Sequence, residues 1–205
     1  MRTILYRLIA KLYHVVADYR YRTRIKVLID GGLVLGKNVN ISPSVVIDNG
    51  NPYLIRIGDN CSIAEHTRLL THDATPYKFT NGHTRLGKIE LKDNCFIGEK
   101  VVILPGVTIG PDVLVAAGSV VNRDIPPNSC VAGVPARVYG KFDQFIERQK
   151  QLVETARVFE IAELTGNLAH KDEQIKAAVW EAIQEGQPVY VRGNLGDSPF
   201  LWNKE

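Results

Sequence analysis

Cysteine is scarce in this chain. Three residues in 205, an odd number, are too few for a disulfide framework. Cys61 and Cys95 fall where a repeat wants a small core residue and Cys130 lies in a turn-rich segment, so a reducing cytoplasm is the expected setting. Long hydrophobic runs are missing too, since no apolar stretch approaches the roughly 18–20 residues of a membrane span. The opening run MRTILYRLIAKLY carries charges inside it and no small-residue cleavage site, which argues against a secretory signal. Neither charge sign dominates: 25 Lys and Arg against 22 Asp and Glu leave +3, too little to imply a nucleic-acid partner. The length suits one domain with appendages.

What the chain does have is a six-residue period. Leu35, Ile41, Ile47, then Ile57, Ile63, Leu69, then Leu91, Ile97, Ile103, Ile109, Val115 and Val121 are all aliphatic. Gly, Ala or Ser follows at Gly36, Ser42, Gly58, Ala64, Gly98, Gly110 and Ala116. Neither the helical period of 3.6 nor the strand period of 2 gives this, whereas hexapeptide repeats mark a parallel β-helix. Three hexads make one triangular turn, so residues 18 apart stack. The count breaks after Ile47, at Asn49-Gly50-Asn51-Pro52, and after Leu69, where an excursion loop over 73–88 is expected. Asn38, Asn60, Asn94 and Asp112 recur at one corner, where tolerance of left-handed backbone angles is needed. Aliphatic side chains fill such a coil, so function belongs to its corners and loops.

The expected organisation is an N-terminal amphipathic helix over 1–28, a β-helix over 29–140 and a C-terminal helical extension over 141–205. Residues 1–26 carry Arg2, Arg7, Lys11, Arg20, Arg22, Arg24 and Lys26 against Asp18 alone, above an apolar stripe of Leu5, Leu8, Ile9, Leu12, Val15 and Val16. Such a helix can cap the first coil or rest peripherally on an anionic membrane. In the extension, 141–165 and about 171–185 read as helices, stopped by Gly166-Asn167 and by Gly186 with Pro188.

Residues 97–138, IGEKVVILPGVTIGPDVLVAAGSVVNRDIPPNSCVAGVPARV, resemble the hexapeptide-repeat acyltransferases, in particular the maltose- and galactoside-type sugar O-acetyltransferases. The likeness covers about 33–141. It implies a left-handed parallel β-helix, a homotrimer, and acetyl-CoA as co-substrate in a groove between subunits, with no metal. Transfer to a sugar hydroxyl needs a base, and His72, at the departure of the excursion loop, matches the family's catalytic histidine. Its stacking partner one turn on is Gly106. Asp73 or a backbone carbonyl is expected to orient the imidazole. The resemblance carries the acetyl-CoA groove to Phe96, Gly98, Glu99, Ala117, Gly118, Asn122, Arg123, Pro135 and Arg137, the two arginines facing phosphates.

On the acceptor side, Ser42, His66, Tyr77, Phe79, His83 and Arg85 are candidates. Ser42 stands where the maltose and galactoside types carry an Asn, Phe96 replaces a Trp, and the histidine comes two residues earlier in its hexad. The acceptor expected from these departures is a sugar of a surface polysaccharide or its lipid-linked precursor. An amine acceptor (a nucleotide-linked amino sugar or an antibiotic) is the alternative within the transferases. A zinc-dependent carbonic anhydrase of the same fold needs three converging histidines, and His66 and His72 fall on adjacent faces. A non-catalytic scaffold is the remaining reading.

Overall fold

The structure is a computed structural model and describes residues 2–160, 172–193 and 201–202. Two compact units are present, Met1–Gly140 with Pro199–Glu205, and Lys141–Ser198.

In the larger unit the hexad period becomes three parallel sheets. The first face stacks Val34–Leu35, Ile55–Ile57, Ile89–Leu91 and Thr108–Ile109. The second stacks Val39–Ile41, Ser62–Ile63, Cys95–Ile97, Val113–Val115 and Ser129–Ala132, and the third Val46–Ile47, Arg68–Leu69, Val102–Ile103 and Val120–Val121. Register follows the hexads on every face: Leu35, Ile57, Leu91 and Ile109 stack in one column, Ile41, Ile63, Ile97 and Val115 in another. Ile47, Leu69, Ile103 and Val121 form the third. All twelve are buried. Each contributes roughly 1.5–3 kcal/mol of transfer free energy, the main force holding the coils. The two irregular spacings are absorbed outside the columns, by a short 3-10 turn at Pro52–Leu54 and by a protruding hairpin.

The corners are built as the composition suggests. Asn38, Asn60, Asn94 and Asp112 all have φ between 54° and 58°. Their side chains also form a ladder: Asn38 Nδ2 donates to Asn60 Oδ1 at 3.1 Å, Asn60 to Asn94 at 3.2 Å, and Asn94 to Asp112 Oδ1 at 2.9 Å. Cys130 lies buried in the strand Ser129–Ala132, not in a turn.

Helix α1 runs from Arg2 to Asp30. It is capped against the first coil by Tyr21, Ile25 and Leu28, which are buried, while Arg24 donates to the carbonyls of Pro43 (2.9 Å) and Val45. The stripe expected to do this work does not: Ile9, Leu12, Val15 and Val16 are exposed, and the side chains of Leu5 and Leu8 lie outside the described residues.

The smaller unit corrects the long helix expected over 141–165. Helix α2 spans Phe142–Thr155 and stops at Ala156, whose backbone is extended. Arg157–Glu160 then forms a strand parallel to Val189–Arg192, with helix α3 (Asp172–Gln184) between them in sequence. The run Val158-Phe159 is β-branched and aromatic, and pairing a strand buries Phe159, which outweighs a weak helical preference.

Candidate active site

Asp48 closes the first coil immediately after the third-face strand Val46–Ile47, and its side chain is only 4% exposed. A carboxylate there must be fully hydrogen-bonded or its burial is costly. It is. Oδ2 accepts from the Thr71 amide at 3.1 Å, from Thr71 Oγ1 at 2.6 Å and from His72 Nδ1 at 2.6 Å, while Oδ1 accepts from the Gly50 amide at 3.1 Å. Burial pushes the Asp48 pKa up, but the bonds from Thr71, His72 and Gly50 outweigh it and hold the group below the usual carboxylate range.

An ionised carboxylate only accepts, so Nδ1 of His72 is the nitrogen that carries the proton toward Asp48, and in the neutral imidazole the basic nitrogen is Nε2. His72 is half exposed, at the outer edge where the third face turns toward the first. Leu69 stacks on Ile103, but Gly106 (φ +93°) is not the stacking partner of His72 that the hexad count predicts. Its amide donates to the Lys88 carbonyl at 2.9 Å, where the chain returns from the inserted loop, which has displaced His72 from the coil. The arrangement holds a proton acceptor rigidly from behind and presents it outward.

The orienting group is therefore Asp48 of the preceding coil and not Asp73. Asp73 Oδ1 instead accepts from the Thr75 amide at 2.9 Å in a tight turn. The bonds from Thr75 keep its pKa low, with the charge of Arg85 adding to the effect. Ser42, the acceptor-side candidate of the preceding coil, lies between Val39–Ile41 and Val46–Ile47, on the edge between the second and third faces. His66 lies on that same neighbouring edge, with φ +59° and its amide donating to Ser44 Oγ at 3.0 Å.

A hairpin of His72–Asp73 and Arg85–Leu86 carries the excursion loop, closed at its base by Gly87 N–H to Thr71 O at 2.8 Å. Tyr77, Phe79, His83 and Arg85 are all exposed on it. A Cβ on Gly106 would lie 3.5 Å from Arg85 Nη2, so Arg85 reaches back to the coil below His72. His83 Nδ1 is tied to the Thr80 carbonyl within the loop.

The residues expected to hold acetyl-CoA separate onto two edges. Asn122 and Arg123 follow Val121, which stacks on Ile103, and so leave the third face on the same edge as His72, both exposed. Glu99, Ala117 and Gly118 follow the second-face strands onto the neighbouring edge, with Phe96 half exposed on the face beside them. Gly98 is buried there for a packing reason, because a Cβ would come within 2.6 Å of the Ala117 amide. Pro135, after a cis peptide, and Arg137 sit in the hairpin that follows the last coil. Among the described residues no His, Cys, Asp and Glu group could hold a metal ion. His170 lies outside the described residues.

Residues 88–123 match the family described as bacterial transferase hexapeptide (six repeats). YvoF of Bacillus subtilis (strain 168), provisionally named an acetyltransferase, is 31% identical over 137 residues, 67% of this chain and 73% of that protein. This chain belongs to the hexapeptide-repeat acetyltransferases. The three stacked faces are accordingly the left-handed β-helix of that family. The galactoside O-acetyltransferase of Escherichia coli (strain K12) is 41% identical over 108 residues, and the chain spans about half of its length (51%). A solved hexapeptide-repeat acetyltransferase, VCA0836 of Vibrio cholerae O1 biovar eltor in complex with acetyl coenzyme A, is 37% identical. It covers 54% of this chain and 61% of its own, at a TM-score of 0.49.

For this hexapeptide-repeat acetyltransferase, sequence reasoning missed Asp48 and Thr71. One signal was available. Position i+1 of a hexad is otherwise mostly Gly, Ala or Ser, and an acid there, just before an inserted turn, is out of pattern.

Proposed function

We propose that the protein transfers the acetyl group of acetyl-CoA to a hydroxyl of a sugar, with His72 as general base and Asp48 as its positioning residue. The observation that carries this reading is the 2.6 Å contact of His72 Nδ1 with buried Asp48, which leaves Nε2 as the basic atom at an exposed edge. Nε2 takes the proton as the acceptor oxygen attacks the thioester carbon. The tetrahedral adduct then collapses with loss of the CoA thiolate, which recovers that proton as the thiol. Positioning and electrostatics supply the rest.

The division of the groove residues between two edges supports a closed homotrimer. In it, the His72 edge of one protomer faces the Ala117–Gly118 edge of the next, with the pantetheine arm between them. Arg123 and Arg137 are exposed cations suited to the CoA phosphates. Likeness to a galactoside O-acetyltransferase supports a saccharide acceptor, and the altered acceptor side suits a surface-polysaccharide sugar modified in the cytoplasm. The test is thiol release from acetyl-CoA across a panel of sugars, nucleotide amino sugars and oligosaccharide precursors. His72→Ala should lose about 10²–10⁴-fold in kcat while still binding CoA by calorimetry. Absence of both thiol release and CoA binding in the unaltered protein would refute the reading.

A further inference from the structure

Helix α1 has two apolar faces that point in nearly opposite directions. At about 100° per residue, Ile9, Leu12, Tyr13, Val15, Val16 and Tyr19 span an arc of about 160°. Tyr21, Ile25 and Leu28, which seat the helix on the first coil, centre roughly 170° from the middle of that arc. The first set is exposed throughout, Leu12 at 64% and Val15 at 66%. The protein's own coil thus occupies one side of the helix and most of the stripe faces the other, Tyr13 and Val16 at its margin also lining a groove that reaches Pro43.

Charge selects the occupant of that stripe. Residues 1–26 hold seven Lys and Arg against Asp18 alone, a local +6 in a chain of net +3. Exposed Arg20, Arg22 and Lys26 border its C-terminal end, Arg22 pairing with Asp18 at 3.0 Å. A second copy of the same helix would bring like charge against like. An anionic lipid surface offers the opposite charge and an apolar layer into which Ile, Leu and Val sink, with Tyr13 and Tyr19 at the boundary. No helix among the described residues is long and apolar enough to cross a membrane, so the fit is to lie on one. We propose that α1 is an interfacial anchor that binds an anionic phospholipid surface through its Ile9–Tyr19 stripe and its cations, leaving the β-helix outside the lipid.

The experiment is flotation of the full chain with vesicles of phosphatidylcholine alone or with about a third phosphatidylglycerol. Light scattering of each protein runs in parallel. The expected result is at least about tenfold more protein floated on the anionic vesicles, falling at high salt. Leu12→Glu with Val15→Glu should abolish it with assembly mass and thiol-release rate unchanged. No flotation, equal flotation of the double variant, or a change in assembly mass would overturn the proposal. The last outcome would assign the stripe to a contact between copies. Thiol release reads the transferase reading separately, so either can fail alone.

Discussion

One oxygen atom, Asp48 Oδ2, receives three donors from two consecutive residues of the next coil, and that convergence sets the character of the site. It fixes the His72 tautomer, and it satisfies a buried threonine whose amide and hydroxyl have no exposure to water. Asp48→Asn preserves size and removes the charge, and the amide can now donate toward Nδ1 and favour the wrong tautomer. We predict a fall in kcat of about 10²–10⁴-fold with little change in the KM for acetyl-CoA. An unchanged kcat would sink the positioning role. Stability should respond to pH in a defined sense. Because the folded pKa is depressed, ionised Asp48 contributes stability above the ordinary carboxylate value of about 3.9, and the contribution drains away as pH falls through the lower folded value. The melting-temperature deficit of Asp48→Asn should therefore be full at neutral pH and shrink below about pH 3.9. A deficit that stays constant with pH would contradict this. His72 stands out in the sequence because it sits at the break in the hexads. Asp48 could not be assigned its role there, because the partnership is between coils 24 residues apart and depends on stacking register.

At the scale of the element, the corner ladder joins backbone geometry to side-chain bonding. Asn60 holds φ +55° and bonds to Asn38 above and Asn94 below. Asn60→Ala forfeits both bonds and places a Cβ in the left-handed region, so it should destabilise by about 1–3 kcal/mol. Asn60→Gly loses the bonds but keeps the backbone at ease, and should cost clearly less. Urea unfolding of the two variants checks this; equal losses would remove the backbone from the explanation. The columns and this ladder were legible because repetition makes one local rule count many times. The strand Arg157–Glu160 was not legible: its four residues follow a helix without Gly or Pro to mark the change, and its partner lies past residue 188. The α1 stripe was legible as a pattern, but which side of the helix met the coil depended on Tyr21, Ile25 and Leu28 further along.

At the scale of the whole molecule, the proposed site needs two edges that one chain keeps apart with its third face between them. His72 and Asn122-Arg123 follow the third-face strands onto one, and Glu99 with Ala117-Gly118 lies along the other. In a threefold ring each edge of one kind meets the other kind from the next protomer. His72→Ala inactivates the first edge. Ala117→Trp, at an exposed corner position, should fill the groove on the second. Each variant alone is expected to be inactive in every site. In trimers assembled by denaturing and refolding an equal mixture, a site is intact when its first edge comes from the Ala117→Trp chain and its second from the His72→Ala chain. Random assembly makes that true of about a quarter of the sites. Recovery of roughly a quarter of the unaltered thiol-release rate would locate the chemistry between protomers. If the mixture stays as inactive as its components, while the unaltered protein refolded in the same way regains activity, the two edges do not cooperate across an interface. The site would then have to be built from a single chain around His72.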